Sequence, residues 1–135
     1  MKPACFNLAG FDQDSAENIL ENRRRFISAL GGEWKLAACW QVHGSDVLIV
    51  RDTGDPRPED ERCDALATNL KGLLLGVKTA DCVPVILGDP RGGACAAVHA
   101  GWRGTLAEIV KRALARLHEE FGTDPANVRA ALGPA

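Results

Sequence analysis

LLLGVKTADCVPVILGDPRGGACAAVHAGWRGT, residues 73–105, is the stretch whose reading decides the fold. It holds three apolar runs, Leu73–Thr79, Val83–Leu87 and Ala94–His99, each only long enough for a strand. Gly88-Asp89-Pro90-Arg91-Gly92-Gly93 separates the last two with residues that favour turns. Working outward, Asn69-Leu70-Lys71-Gly72 sets off a further run at Ala65–Thr68. None of these runs alternates apolar with polar residues, the pattern expected of strands covered on both faces. Strand-like segments also occur at 35–42, 46–51 and 128–132.

The helical signals lie at the two ends. Ile19, Leu20, Phe26, Ile27 and Leu30 recur at helical spacing, so a helix is expected over 15–30, with Asp14 as its cap and Glu17 as the capping-box partner. Arg23-Arg24-Arg25 reads as its solvated face. A second helix is expected over 106–121, capped by Thr105 with Glu108 as partner, with Leu106, Ile109, Val110, Ala113, Leu114 and Leu117 as its buried stripe and Gly122 as its stop. Thr53–Arg62, with two prolines, reads as a surface loop. Helices flanking a mostly mixed sheet make an α/β (layered α+β) fold.

A chain of 135 residues fits one domain, 1–135, and 46% hydrophobic content is enough to pack a core. A net charge of −2 excludes the basic field of a nucleic-acid binder. No signal-peptide pattern and no apolar run of membrane-spanning length is present, so a cytoplasmic protein without a membrane partner is expected. Five cysteines with no CxxC pair argue for reduced thiols rather than a disulfide framework. Cys5, Cys39, Cys63 and Cys95 read as buried or incidental, Trp34, Trp40 and Trp102 as packing residues, and His118 as a solvent-facing residue near a helix C-terminus.

Three places concentrate chemistry: Gln41–Gly44, Thr79–Cys82 and His99–Gly104. Each puts a metal-capable residue, His43, Cys82 or His99, at the end of an apolar run, where layered folds tend to build sites. Two histidines and a thiolate would leave zinc one open coordination position, the mark of a catalytic rather than a structural site. Taken singly, each residue also has a plainer reading: a cysteine in an apolar run packs as a small hydrophobe, and a histidine at a strand end caps it. Gly101-Trp102-Arg103-Gly104 joins a strand to a helix start, where free N–H groups and Arg103 could meet an anion or simply form a turn.

Taken in order, QVHGSDV (41–47), CDALATN (63–69), TADCVPVIL (79–87) and AAVHAGWRGT (96–105) resemble the laccase-domain-containing polyphenol oxidase family. Its members are also described as zinc-dependent purine nucleoside phosphorylases. FNLAGF and ILENRRRF, at Phe6 and Ile19, are similar to the family's upstream segment. The resemblance implies zinc on His43, Cys82 and His99. It implies phosphorolysis of adenosine, inosine and methylthioadenosine, with adenosine deamination as a related activity, and purine nucleosides and phosphate as partners. Arg103 and Asp81 are the candidate catalytic residues, and Gln41, Asp64, Gly101 and Gly104 the candidate substrate contacts. Members usually begin further upstream and continue past the GPA segment, so a domain truncated at both ends is expected.

Three other readings compete. A metal-free cysteine hydrolase or deamidase would use Cys82 as nucleophile and His99 as base. A copper oxidase could place type 1 copper on the same three residues, but the usual axial methionine is lacking, since Met1 is the sole methionine, and three histidines are too few for a multicopper cluster. An inactive remnant would keep the fold alone.

Overall fold

The computed structural model describes residues 6–8, 14–52 and 61–134. The chain divides into two compact units, 1–34 and 35–135. The first contains helix α1, Ala16–Ala29. Its cap is Ser15, whose hydroxyl accepts from the Asn18 N–H; Asp14, the expected cap, instead accepts from Ser15 N and Asn18 Nδ2. A serine hydroxyl at the cap position reaches the third helical amide, which satisfies one of the orphan donors of the first turn. Arg24 and Arg25 both bind Glu21 at 2.7 Å, which lowers that carboxyl to about 2, while Arg23 donates to the Leu8 carbonyl. The basic run is a solvated face, as its sequence suggests.

The second unit holds the strands. They are β1 (Lys35–Ala38), β2 (Val47–Ile49), β3 (Ala65–Thr68), β4 (Leu73–Gly76), β5 (Val83–Gly88), β6 (Cys95–Ala100) and β7 (Arg129–Leu132). β1 and β4 form a parallel pair. The other five form one mixed sheet in the order β2-β3-β6-β5-β7, with β2 parallel to β3 and the remaining neighbours antiparallel. The mixed-sheet expectation holds. The Thr53–Arg62 loop lies largely outside the described residues, as does Cys5.

Helix α3, Ile109–Phe121, covers one face of the sheet. Ile109, Ala113 and Leu117 pack there against Ala65, Ala67, Val85, Leu87, Ala96 and Val98. The opposite face of β3 presents Leu66 to Ala37, Cys39, Val50, Cys63 and Leu73. β3 is therefore buried residue by residue, which explains its unbroken apolar run. The expectation of two covered faces fails on β5, where Ile86 is 60% exposed; beyond it, all four residues of β7 are exposed.

The expected helix from Leu106 is two helices. Short α2, Trp102–Leu106, is followed by a break at Ala107 and Glu108, where Glu108 takes a left-handed φ of 59°. Thr105 lies inside α2 rather than capping α3. Leu106 is correspondingly 79% exposed, because the buried stripe starts at Ile109. Trp34, Trp40 and Trp102 are exposed rather than packed. Burying an apolar ring depends on what the chain brings opposite it, which the residue type does not encode. Cys39 and Cys63 are buried, and His118 is exposed with Nδ1 2.9 Å from the Thr123 carbonyl. Among the described residues no helix is long and apolar enough to cross a membrane.

Candidate metal centre

Strand register alone brings the three chemistry-bearing segments together. β2 and β3 run parallel with Val47 beside Ala65, so the chain before each strand lies side by side, and Asp64 N donates to Asp46 O. β3 and β6 run antiparallel with Ala65 opposite Val98, so the start of β3 meets the end of β6, and His99 N donates to Asp64 O at 2.8 Å. β5 opposes β6 with Val83 facing Ala100, which sets Cys82 beside the residue that follows β6. Sites at strand ends follow from such registers, because side chains there escape the core while the backbone remains fixed.

His43, Cys82 and His99 each offer a ligand atom, and these atoms lie within 4.8 Å of one another. The two imidazoles meet edge to face, with ring centroids 4.9 Å apart. His99 is buried, Cys82 half-buried and His43 exposed, so the group opens to solvent on one side. The donor set suits a metal ion: two neutral nitrogens and one thiolate are what a borderline-soft cation takes. The floor of the group is kept clear by a missing side chain. A Cβ on Gly101 would fall 3.0 Å from His43 Cδ2, 3.2 Å from Cys82 Sγ and 3.7 Å from His99 Cε1. The plainer readings of the three residues, a packed thiol and two strand caps, do not account for this convergence.

Asp64 lies directly behind the group and is fully buried. Its Oδ1 sits 2.8 Å from His99 Nδ1 and accepts the His43 N–H at 2.9 Å, while Oδ2 accepts the N–H groups of Gly44 and Val42 at 2.7 and 3.2 Å. Burial raises its carboxyl, but His99 and the three backbone donors outweigh burial and hold it below the usual carboxylate range. His43 has a left-handed φ of 59°, rare for a residue with a Cβ. The three consecutive amides converging on one carboxylate keep it there.

The other candidate residues lie on the segments that carry these three side chains. Gln41 clamps the segment that leads to Cys82: its Nε2 donates to Lys78 O and its Oε1 accepts from Lys78 N, both at 2.7 Å. Asp81 is exposed, with Oδ1 3.8 Å from Cys82 Sγ. Partial burial, Asp81 and then Asp64 push the Cys82 thiol up. Gly104 packs against the loop after His43, where an added Cβ would meet the Gly44 carbonyl at 2.8 Å. Arg103 is exposed, its guanidinium 5.1 Å from the Trp102 ring centroid, and it makes no ion pair among the described residues. The sequence misses the clamp role of Gln41, because Lys78 lies 37 residues away and contributes only backbone atoms.

The sequence model described as multi-copper polyphenol oxidoreductase laccase matches residues 2–135. The chain belongs to that laccase family. Within the family it is 43% identical to a Streptomyces coelicolor protein named purine nucleoside phosphorylase, over 96% of this chain and 53% of that protein. A purine nucleoside phosphorylase from Bacteroides thetaiotaomicron is 37% identical, over 97% of this chain and 51% of its own length. A protein of an unknown prokaryotic organism named adenosine deaminase RL5 is 34% identical, over 95% and 51%. Among solved structures, YlmD from Geobacillus stearothermophilus superposes with a TM-score of 0.84 at 31% identity, covering 96% of this chain and 51% of that one. This laccase-family chain thus spans about half the length of the relatives it matches. The α/β fold expected from its sequence is the fold of that structural neighbour.

Proposed function

We propose that this chain carries a zinc site on His43, Cys82 and His99 and processes purine nucleosides, by phosphorolysis of adenosine, inosine and methylthioadenosine. The observation that carries the proposal is the convergence of three ligand atoms within 4.8 Å above a glycine floor. Relatives named purine nucleoside phosphorylase supply the substrate class. Zinc rather than copper is the metal proposed: two imidazoles and one thiolate are a donor set that zinc takes, and three histidines in this sequence are too few for a multicopper cluster. Zinc held by three protein ligands supplies a Lewis acid and lowers the pKa of a coordinated water toward ~7.

The chain's own residues divide the remaining work. Gly101 and Gly104 keep the backbone of the strand-to-helix turn tight against the ligands. Arg103, paired with no acid among the described residues, is the proposed contact for the attacking phosphate, which a guanidinium can bind through two hydrogen bonds. Asp81, exposed beside Cys82, is the second proposed catalytic residue, and Gln41, its amide committed to Lys78, holds the segment that leads to Cys82. Phosphorolysis then exchanges the glycosidic bond for a bond from ribose C1 to phosphate oxygen, and the purine leaves with a proton. Adenosine deamination is the second reading, favoured by the relative named adenosine deaminase RL5. Among the described residues none of Cys39, Cys63, Cys82 and Cys95 is in a disulfide, which suits a reducing cytoplasm.

A metal-free thiol nucleophile would use Cys82, His99 and Asp64 as a relay. It gives no role to His43, and a thiol pushed up rather than down is poorly placed to attack. The deciding experiment measures zinc content, Cys82 alkylation, and adenine and inosine release from adenosine with and without phosphate. Stoichiometric zinc that shields Cys82, with phosphate-dependent adenine release, is the expected result. Arg103→Ala retains zinc and loses the phosphate dependence. Full zinc content in Cys82→Ala would overturn the site, and a zinc-loaded, folded chain that releases neither product would overturn the catalytic part of the reading.

A further inference from the structure

We propose that Asp64 is a positioning residue that sets two metal ligands with one carboxylate: it fixes the ring of His99 through Nδ1 and the backbone of His43 through three consecutive amides. The proposal rests on the zinc site proposed above and adds a residue to it. It also moves Asp64 away from the substrate-contact role that its motif suggests.

Three observations carry it. Asp64 is fully buried, so no substrate reaches it. Both its oxygens are engaged, Oδ1 by His99 Nδ1 and the His43 N–H, Oδ2 by the Gly44 and Val42 N–H groups, which leaves no carboxylate oxygen free for a ribose hydroxyl. His43 sits in a left-handed conformation that a residue with a Cβ adopts only when its surroundings impose it. An ionised carboxylate accepts all four of these bonds. With Nδ1 donating to Asp64, His99 carries its proton on that nitrogen and offers Nε2 to the metal. An Nδ1-bound tautomer is thereby excluded, and the ring plane is fixed before any metal arrives.

The same carboxylate also ties the backbone of β3 to the loop that carries His43, so the spacing between the two histidines does not depend on the metal. Asn is the informative replacement. It keeps the size of Asp64 but turns one acceptor oxygen into an NH2 group, which must face either the amides of Val42 and Gly44 or the His43 amide and His99 Nδ1. One of the two ligand histidines then loses its anchor whichever way the amide points.

The test compares wild type with Asp64→Asn by chelator competition for zinc and by the visible spectrum of the cobalt(II)-loaded proteins. Far-ultraviolet circular dichroism confirms the fold. Removal of such an outer partner weakens zinc binding roughly ten- to a hundredfold, and the cobalt ligand-field and thiolate charge-transfer bands shift, a signature that a change in general stability does not produce. A folded Asp64→Asn with wild-type zinc affinity and an unchanged cobalt spectrum overturns the proposal while leaving the zinc site intact. Should Asp64→Asn fail to fold, the long-range 15N–1H spectrum of zinc-loaded wild type decides: His99 coordinated through Nε2 with its proton on Nδ1 supports the proposal, and coordination through Nδ1 overturns it. A wild-type chain that takes up neither zinc nor cobalt overturns the underlying site, a result distinct from either.

Discussion

Gly104 and Gly44 touch backbone to backbone: a Cβ on Gly104 would come within 2.8 Å of the Gly44 carbonyl oxygen, and 3.4 Å of Ile109 Cγ2. Helix α2 can therefore lie against the loop that carries His43 only because residue 104 has no side chain. A carbonyl fixed by its own loop cannot yield as the tip of a flexible side chain would. Gly104→Ala is expected to cost about 1–3 kcal/mol of stability, the range for overpacking. It should also weaken metal binding, since the Gly44 loop moves with His43. Urea denaturation with a metal titration checks both; unchanged values in the two measurements would contradict the close contact.

Gly101→Ala should behave differently. Its Cβ would press on His43 Cδ2 and Cys82 Sγ, both side-chain atoms of the ligands themselves. These can give way at small cost to the fold but at direct cost to the ligand geometry. Zinc affinity is expected to fall by at least about tenfold, the scale seen when ligand orientation is disturbed, while the melting temperature of the metal-free protein stays close to wild type. Isothermal titration and calorimetry of the same samples separate the two effects.

Gln41 tests how the approach to Cys82 is held. Its amide closes two hydrogen bonds with the backbone of Lys78, each 2.7 Å long. Gln41→Ala removes both and is expected to cost about 1 kcal/mol, because these groups are near solvent and water replaces part of the loss. Gln41→Glu keeps the shape but loses the donor to Lys78 O, and should fall between the two. Hydrogen exchange at the Lys78 amide is the sensitive measurement, with faster exchange expected in Gln41→Ala.

Asp89 gives the acid limb of stability. Its Oδ1 accepts from Gly92 N and Arg91 N at the β5–β6 turn, and these two amides hold its carboxyl below the usual carboxylate range. A carboxyl lowered on folding stabilises fully above its unfolded value. That contribution is lost as the pH falls through the lower folded value. Asp89→Asn retains the amide-accepting oxygen but cannot titrate. Its stability should depend less on pH below about 4 than that of wild type, with the turn intact. Equal acid slopes in the two proteins would show that this carboxylate does not contribute.

The sequence by itself determined the helix-and-mixed-sheet class, most strand positions and the three ligand candidates, because apolar runs, turn residues and ordered motifs are local signals. It also announced the tight turn at Gly101 and Gly104 without saying what pressed on it. The cap at Ser15, the break at Glu108 and the exposure of Trp102 were not legible there, since each depends on which neighbour reaches first. The motifs implied by resemblance that His43, Cys82 and His99 act together, and only the tertiary structure showed how they meet, with their ligand atoms within 4.8 Å. They lie 39 and 17 residues apart in sequence, and what closes those distances is the parallel register of β2 on β3 and the antiparallel registers of β3 and β5 on β6. The role of Asp64 is wholly of this kind. Its four partners come from segments 20 to 35 residues away, and three of them are backbone amides, which carry no mark in the sequence.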